Sequence, residues 1–198
     1  RHGIQTTLVD ANGFQTFQPM LYQAATGIIS PSDIRFPLDD LSGVSVVASR
    51  AAAIDTTNAR VTLADGRVLN ADYLVLATGA SVNFFGVSGA ADYALPLYTS
   101  ADAAAIKARI QTLVEARQKF SITVIGAGAT GVEITGALSD ILDYVLPRTF
   151  PTFRREHVDL QIVDHASEPL AHMSTAGQSY ARRILTDAGV AFHLGREV

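Results

Sequence analysis

Residues 121–136 read SITVIGAGATGVEITG, an apolar run that passes directly into a glycine-patterned turn and then into a helix. The three glycines have separate tasks. Gly126 permits the tight turn, Gly128 lets the backbone come close to phosphates, and Gly131 lets the helix pack against the strand. The helix N-terminus can then hold an anionic pyrophosphate. Strand, turn and helix in this order are the local architecture of a dinucleotide site in a parallel α/β sheet, and an acidic residue should end the next strand.

That residue is Asp164, which follows the compact apolar run Leu160, Gln161, Ile162, Val163. A carboxylate there accepts hydrogen bonds from an adenosine ribose and favours a free 2′-hydroxyl. No Arg or Lys follows in residues 165–170, so the expected cofactor is NAD rather than NADP. Asp164 lies further downstream than the usual interval of about 20 residues. Residues 147–157 (PRTFPTFRREH) read as an extended helix-to-strand connection that absorbs the excess.

The chain has 198 residues, a net charge of −4 and 48% hydrophobic residues, enough for one large or two small cores. Lys and Arg are scattered, with only Arg148, Arg154 and Arg155 clustered as in a solvated loop, so nucleic-acid binding is not expected. The absence of cysteine removes disulfides, thiolate metal sites and cysteine nucleophiles together. His2, His157, His165, His172 and His193 form no ligand motif, so no metal site is expected and they read as surface or loop residues. Two uncharged runs, 11–32 and 73–91, are interrupted by Asn, Gln, Pro or Gly and suit buried or ligand-lining backbone better than a membrane span.

Along the chain, residues 5–10 (QTTLVD) resemble a second dinucleotide-fold strand that ends in an acidic residue, Asp10. No first strand precedes it, and the chain starts on Arg1. The expectation is that one βα unit of about 30 residues lies upstream. Residues 44–47, 59–63 and 68–70 read as short strands of a meander, with Asp65-Gly66 as the hairpin turn. They lead to a β-rich run, Tyr73 to Leu76, that stops at Ala77-Thr78-Gly79, where small residues let a ligand approach. Taken alone, Ala-Thr-Gly reads more readily as an ordinary strand-ending turn than as a ligand contact.

Thr99 and Asp102 match a capping box ahead of a helix with Ile106, Ile110, Leu113 and Val114 on one face. Strand 121–125, a helix from about Thr130 to Leu146, strand 158–163, a helix opening at a Thr175-x-x-Gln178 box, and a strand from Val190 complete a β, α, β, α, β order. Leu138, Ile141, Leu142 and Val145 form the buried stripe of the first of those helices. Strands ending in Asp10 and in Asp164 mark a coarse duplication, for which two nucleotide cofactors are the simplest explanation.

Residues 14–32 (FQTFQPMLYQAATGIISPS), Ala77-Thr78-Gly79, Asn83-Phe84-Phe85-Gly86 and residues 126–136 together resemble the type II NADH dehydrogenases, single-subunit flavoenzymes that pass electrons from NADH to quinone. The block FQPMLYQAATG is the most specific element of the resemblance. It implies an α/β fold of partial Rossmann-like FAD/NAD(P)-binding domains, with the β-meander in the FAD half. Residues 1–98 would be a partial FAD-binding domain without its first βα unit. Residues 99–198 would be an NADH-binding domain without its C-terminal part.

By the same resemblance, Asp10 would contact the FAD ribose, Phe17, Gln18 and Pro19 would lie near the isoalloxazine ring, and Thr78 and Gly79 would approach FAD. Gly126, Gly128, Thr130, Gly131 and Asp164 would hold NADH. Glu133 would sit near the nicotinamide, and it fits a solvent-facing first-turn glutamate equally well. Hydride would pass from NADH to FAD and electrons on to quinone, in a respiratory-chain enzyme peripheral on the cytoplasmic inner face of the membrane. Contact with the membrane surface would run through segments outside this chain, and a homodimer stays open. Disulfide reductases and sulfide-oxidising relatives need cysteine near the flavin, and residues 14–23 and 81–98 contain none. The chain alone, as a fragment lacking the first glycine turn, would bind flavin weakly and not turn over. A soluble flavin reductase with a protein acceptor and a non-catalytic NAD-binding module remain as alternatives.

Overall fold

The computed structural model describes residues 3–196; Arg1, His2, Glu197 and Val198 lie outside the described residues. The chain divides into two compact units, one drawn from Arg1–Phe17 and Ile34–Ser81, the other from Gln18–Asp33 and Val82–Val198. Residues 18–33 and 82–98 thus pack with the second unit. This is a division by packing, and which cofactor each part holds is a separate question.

In the first unit, β1 (Thr6–Asp10) and β4 (Val44–Ala48) pair in parallel from Thr6 opposite Val44 to Asp10 opposite Ala48. β2 (Phe14–Thr16) and β3 (Arg35–Pro37) form an antiparallel ribbon. β5 (Ala51–Asp55), β6 (Arg60–Leu63) and β7 (Val68–Asn70) form the antiparallel meander. The expected hairpin turn is there: Gly66 has φ +86° and the Leu63 N–H donates to the Arg67 carbonyl at 2.8 Å. β5 escaped the sequence reading because its alanine run carries little strand preference of its own. Val61 and Leu63 bury the inner face of β6.

The expected strand from Tyr73 to Leu76 does not form. The segment is irregular, and Tyr73 and Val75 are 91% and 85% exposed. A β-rich apolar run becomes a strand only where a neighbour completes its hydrogen bonds and covers a face, and no ladder reaches it among the described residues.

The second unit opens with a 3-10 turn over Gln18–Met20 and α1 (Leu21–Thr26), followed by α2 (Ala90–Tyr93) and α3 (Ser100–Glu115). Next come β8 (Phe120–Ile125), α4 (Ala129–Asp140), α5 (Leu146–Thr149), β9 (Val158–Asp164), α6 (Thr175–Asp187) and β10 (Ala191–Leu194). The sheet is parallel throughout in the order β10-β9-β8. Leu160 and Ile162 of β9 are buried, as are Leu138, Ile141 and Leu142 on the helical side, and α4 packs against β9. α1 packs against α3 and α4, and its Ala24 and Ala25 are fully buried, as close helix packing requires. Thr99 and Asp102 form the expected capping box, with the Asp102 N–H donating to Thr99 Oγ1 at 3.1 Å and the Thr99 N–H to Asp102 Oδ2 at 2.7 Å.

Four local readings are corrected. Between α4 and α5 the chain makes a π-helical turn, Ile141–Val145. The extra residue in that turn rotates Val145 off the buried stripe, leaving it 47% exposed. α6 is capped not by Thr175 but by Ser174, whose Oγ accepts from the Gly177 N–H at 3.3 Å. Arg155 is not part of a solvated loop: its Nε donates to Asp143 Oδ1 at 2.8 Å and its Nη1 to the Val158 carbonyl at 2.6 Å. His157 and His193 are half-buried, with His193 inside β10, rather than surface or loop residues. Among the described residues no helix is long and apolar enough to cross a membrane, and no group of His, Asp and Glu could hold a metal ion.

Candidate functional site

The turn between β8 and α4 is built from its backbone. The Gly126 N–H continues the sheet by donating to the Val163 carbonyl at 2.8 Å, and φ of +103° there turns the chain away from the strand. A Cβ on Gly131 would overlap the Gly126 carbonyl oxygen, so only glycine admits this approach of helix to turn. Gly128 is the opposite case. Its φ of −71° suits any residue, and a Cβ there would meet nothing within 4 Å. The space beside Gly128 is open, as a phosphate group would need.

α4 begins at this opening with Gly128 as its N-cap, and no side chain caps it. The first intrahelical donor to Gly128 is the Val132 N–H, at 2.9 Å. The N–H groups of Ala129, Thr130 and Gly131 therefore lie in the uncapped first turn, where they are donors for an anion. Gly128, Ala129 and Thr130 are exposed, while Ala127 is 2% exposed.

Ala127 is held from both sides by the chain that follows β9. Its N–H donates to Asp164 Oδ2 at 2.6 Å, and its carbonyl accepts from the Leu170 N–H at 2.8 Å. The second carboxylate oxygen of Asp164 accepts from the Ala166 N–H at 2.7 Å and lies 3.0 Å from His165 Nδ1. Burial raises the affinity of this carboxyl for its proton. Donation from Ala127 and Ala166, with the neighbouring His165, outweighs burial and holds Asp164 below the usual carboxylate range. Asp164 thus stays ionised at the strand end and clamps the glycine turn, a second task that spacing alone does not reveal.

Glu133 is exposed and occupies the fifth position of α4, so it lies beyond the first turn. Asp10 repeats the Asp164 arrangement in the first unit: it ends a parallel strand, and its Oδ1 accepts from the N–H two residues on, Asn12, at 2.6 Å. Phe17, Thr78 and Gly79 are exposed in that unit, with Gly79 at φ +73°. Gln18 and Pro19 are exposed in the second unit, where Gln18 Nε2 donates to the Tyr98 carbonyl at 3.3 Å.

Two arginines near the Asp164 end of β9 lie outside residues 165–170 in sequence and are not evident from the segment that follows Asp164. Arg182 reaches across from α6 to Glu168 and Ser167, and the Arg196 N–H donates to the Asp164 carbonyl at 3.3 Å. Parallel pairing of β10 with β9, Leu194 opposite Asp164, places Arg196 there. The signal was present only as the order of the strands.

A family profile described as pyridine nucleotide-disulphide oxidoreductase matches residues 1–198. The chain is 30% identical over 215 residues to the type II NADH:quinone oxidoreductase NdhA of Mycobacterium tuberculosis, covering 100% of this chain and 46% of that protein. It is 26% identical over 205 residues to the type II NADH:quinone oxidoreductase of Staphylococcus saprophyticus, covering 98% of this chain and 50% of that protein. The fold matches the Plasmodium falciparum NDH2 solved in complex with NADH, with a TM-score of 0.86 at 17% identity, over 95% of this chain and 42% of that one. The chain therefore spans about half the length of the curated relatives it matches.

Proposed function

The chain belongs to the pyridine nucleotide-disulphide oxidoreductase family, and from that membership we propose that it is part of a flavin-dependent oxidoreductase passing hydride from NADH to FAD and electrons on to a quinone. One observation carries the nucleotide half of this reading: the ionised Asp164, at the end of β9, holds through the Ala127 N–H the same turn that has open space at Gly128 and the uncapped first turn of α4. Those groups suit a pyrophosphate and a ribose hydroxyl. Quinone as acceptor rests on the names of the relatives, type II NADH:quinone oxidoreductases.

In this reading Gly126, Gly128, Thr130, Gly131 and Asp164 bind NADH. The N–H groups of the α4 first turn hold the pyrophosphate, and Asp164 faces the ribose while keeping Ala127 in place. Asp10 takes the corresponding place at the FAD ribose, Thr78 and Gly79 approach FAD, and Phe17, Gln18 and Pro19 lie by its ring. Glu133, on the same helix as the pyrophosphate amides, is assigned to the nicotinamide side. FAD, when bound, supplies the hydride acceptor and the one-electron chemistry toward quinone. The residues supply binding and orientation. Residues 14–23 and 81–98, placed near the flavin in this reading, contain no cysteine, so these segments offer the electrons no thiol.

The expected parts remain 1–98 for FAD and 99–198 for NADH. The whole enzyme would work at the cytoplasmic inner face of the membrane, where its quinone resides, as a monomer or homodimer. The test is spectroscopic. The intact protein should be yellow, bleach on anaerobic addition of NADH, and recover its colour on adding a quinone. A colourless protein that binds NADH without flavin would retire the enzyme reading in favour of an NAD-binding module.

A further inference from the structure

The loop that follows Asp164 holds one acidic residue and one borrowed cation. Glu168 Oε2 accepts from Arg182 Nε at 2.8 Å, and Arg182 Nη2 donates to the Ser167 carbonyl at 3.2 Å. The guanidinium also lies over the Phe192 ring, 5.1 Å from its centroid. Phe192 is opposite Ile162 in the sheet, two residues before the level of Asp164, a distance of about 6–7 Å along a strand. Ala166 is tied to the Asp164 carboxylate at 2.7 Å, which draws the start of this loop against the ribose position. The Arg182 guanidinium is therefore tied to the loop that leaves the Asp164 strand end, and with Glu168, Gln178 and Ser179 it lines a depression beside that loop.

An arginine in that neighbourhood is what a dinucleotide site uses to accommodate a 2′-phosphate, because its planar fork can bind two phosphate oxygens at once. We propose that Glu168 is a specificity-determining residue of the nucleotide site. By engaging Arg182 it withholds that cation from the 2′-phosphate that distinguishes NADPH from NADH. This rests on the NADH reading of the site and adds a second discriminator to Asp164. Asp164 disfavours the phosphate by its own charge. Glu168 acts by occupying the Nε edge of the Arg182 guanidinium, which reaches the loop, and by placing another negative charge beside it.

The pair is partly exposed, at 38% and 45% for the Arg182 and Glu168 side chains, so it contributes little to stability. Removing its charge is not expected to unfold the unit, and the stack on Phe192 would keep the guanidinium in place.

The experiment measures dissociation constants of NADH and NADPH for the intact protein with its flavin already reduced, by nicotinamide fluorescence under anaerobic conditions, in the wild type, Glu168→Gln and Glu168→Gln/Arg182→Met. The single variant should raise the preference for NADPH relative to NADH by about tenfold, the scale of one charge-assisted hydrogen bond. The double variant should return the ratio to the wild-type value. An unchanged ratio in the single variant, with an unchanged melting temperature, would overturn the proposal. So would a gain that survives loss of Arg182, which would assign the cation role to Arg196 instead. A wild type that binds neither nucleotide would overturn the reading of the site itself, a failure separate from either of these.

Discussion

Asp164 Oδ2 accepts a hydrogen bond from the Ala127 N–H at 2.6 Å, joining the end of one strand to the glycine turn of another across 37 residues of chain. The same carboxylate proposed to read the ribose therefore also shapes the phosphate turn. Removing it should disturb both tasks. Asp164→Ala leaves the N–H of nearly buried Ala127 without its partner, which costs about 1–3 kcal/mol. The variant should melt at a lower temperature and bind NADH at least tenfold more weakly, the latter also by loss of the ribose acceptor. Calorimetric melting and titration with NADH check the two effects separately.

Gly128 and Gly131 separate binding from folding. Gly128→Ala puts a methyl group into open space at an ordinary φ, so the melting temperature should stay close to wild type while NADH binding is lost. Gly131→Ala drives a Cβ into the Gly126 carbonyl, and should cost about 1–3 kcal/mol of stability as well as binding. Equal stability losses in the two variants would contradict this assignment.

The Asp164 carboxylate also sets an acid limit. Its ordinary value of 3.8 is lowered in the folded protein, so it stabilises the fold fully above that value and loses this contribution as pH falls through the lower, folded value. Asp164→Asn lacks this component. Melting temperature measured from pH 6 down to pH 2 should therefore show a gap between wild type and variant that narrows below about pH 4. A gap that is constant across the whole range would remove Asp164 from the acid response.

Helix capping offers a check on the fold alone. Thr99→Ala should destabilise α3 by about 1 kcal/mol, and Ser174→Ala should do the same to α6. Thr175→Ala should have little effect, because Ser174 provides the cap. Thermal unfolding of the three variants decides between them.

What could be read from the residues is what depends on local chemistry. The glycine turn, the strand into it, the helix out of it and the Thr99 capping box are each specified within a few residues, and each is present. Gly66 likewise signals its own hairpin. What escaped depends on neighbours distant in sequence. Tyr73 to Leu76 has every strand preference and no ladder, while Ala51–Asp55 has little preference and gains a strand from its pairing with β6. Val145 lost its place on the buried stripe because the π-helical turn breaks the helical period. Arg182 meets the loop after Asp164 through the packing of α6, and Arg196 meets Asp164 through the register of β10, so neither is visible in the residues that directly follow Asp164.

The central claim is that the first turn of α4 receives the pyrophosphate of NADH. The most direct measurement is a titration of isotope-labelled protein with NADH, following backbone amide resonances by NMR. The account predicts that the amides of Ala129, Thr130 and Gly131 shift with a single dissociation constant shared by Ala127, and that Gly128→Ala abolishes these shifts. NADH binding that leaves those amides unmoved, or that persists in Gly128→Ala with undiminished affinity, would contradict it.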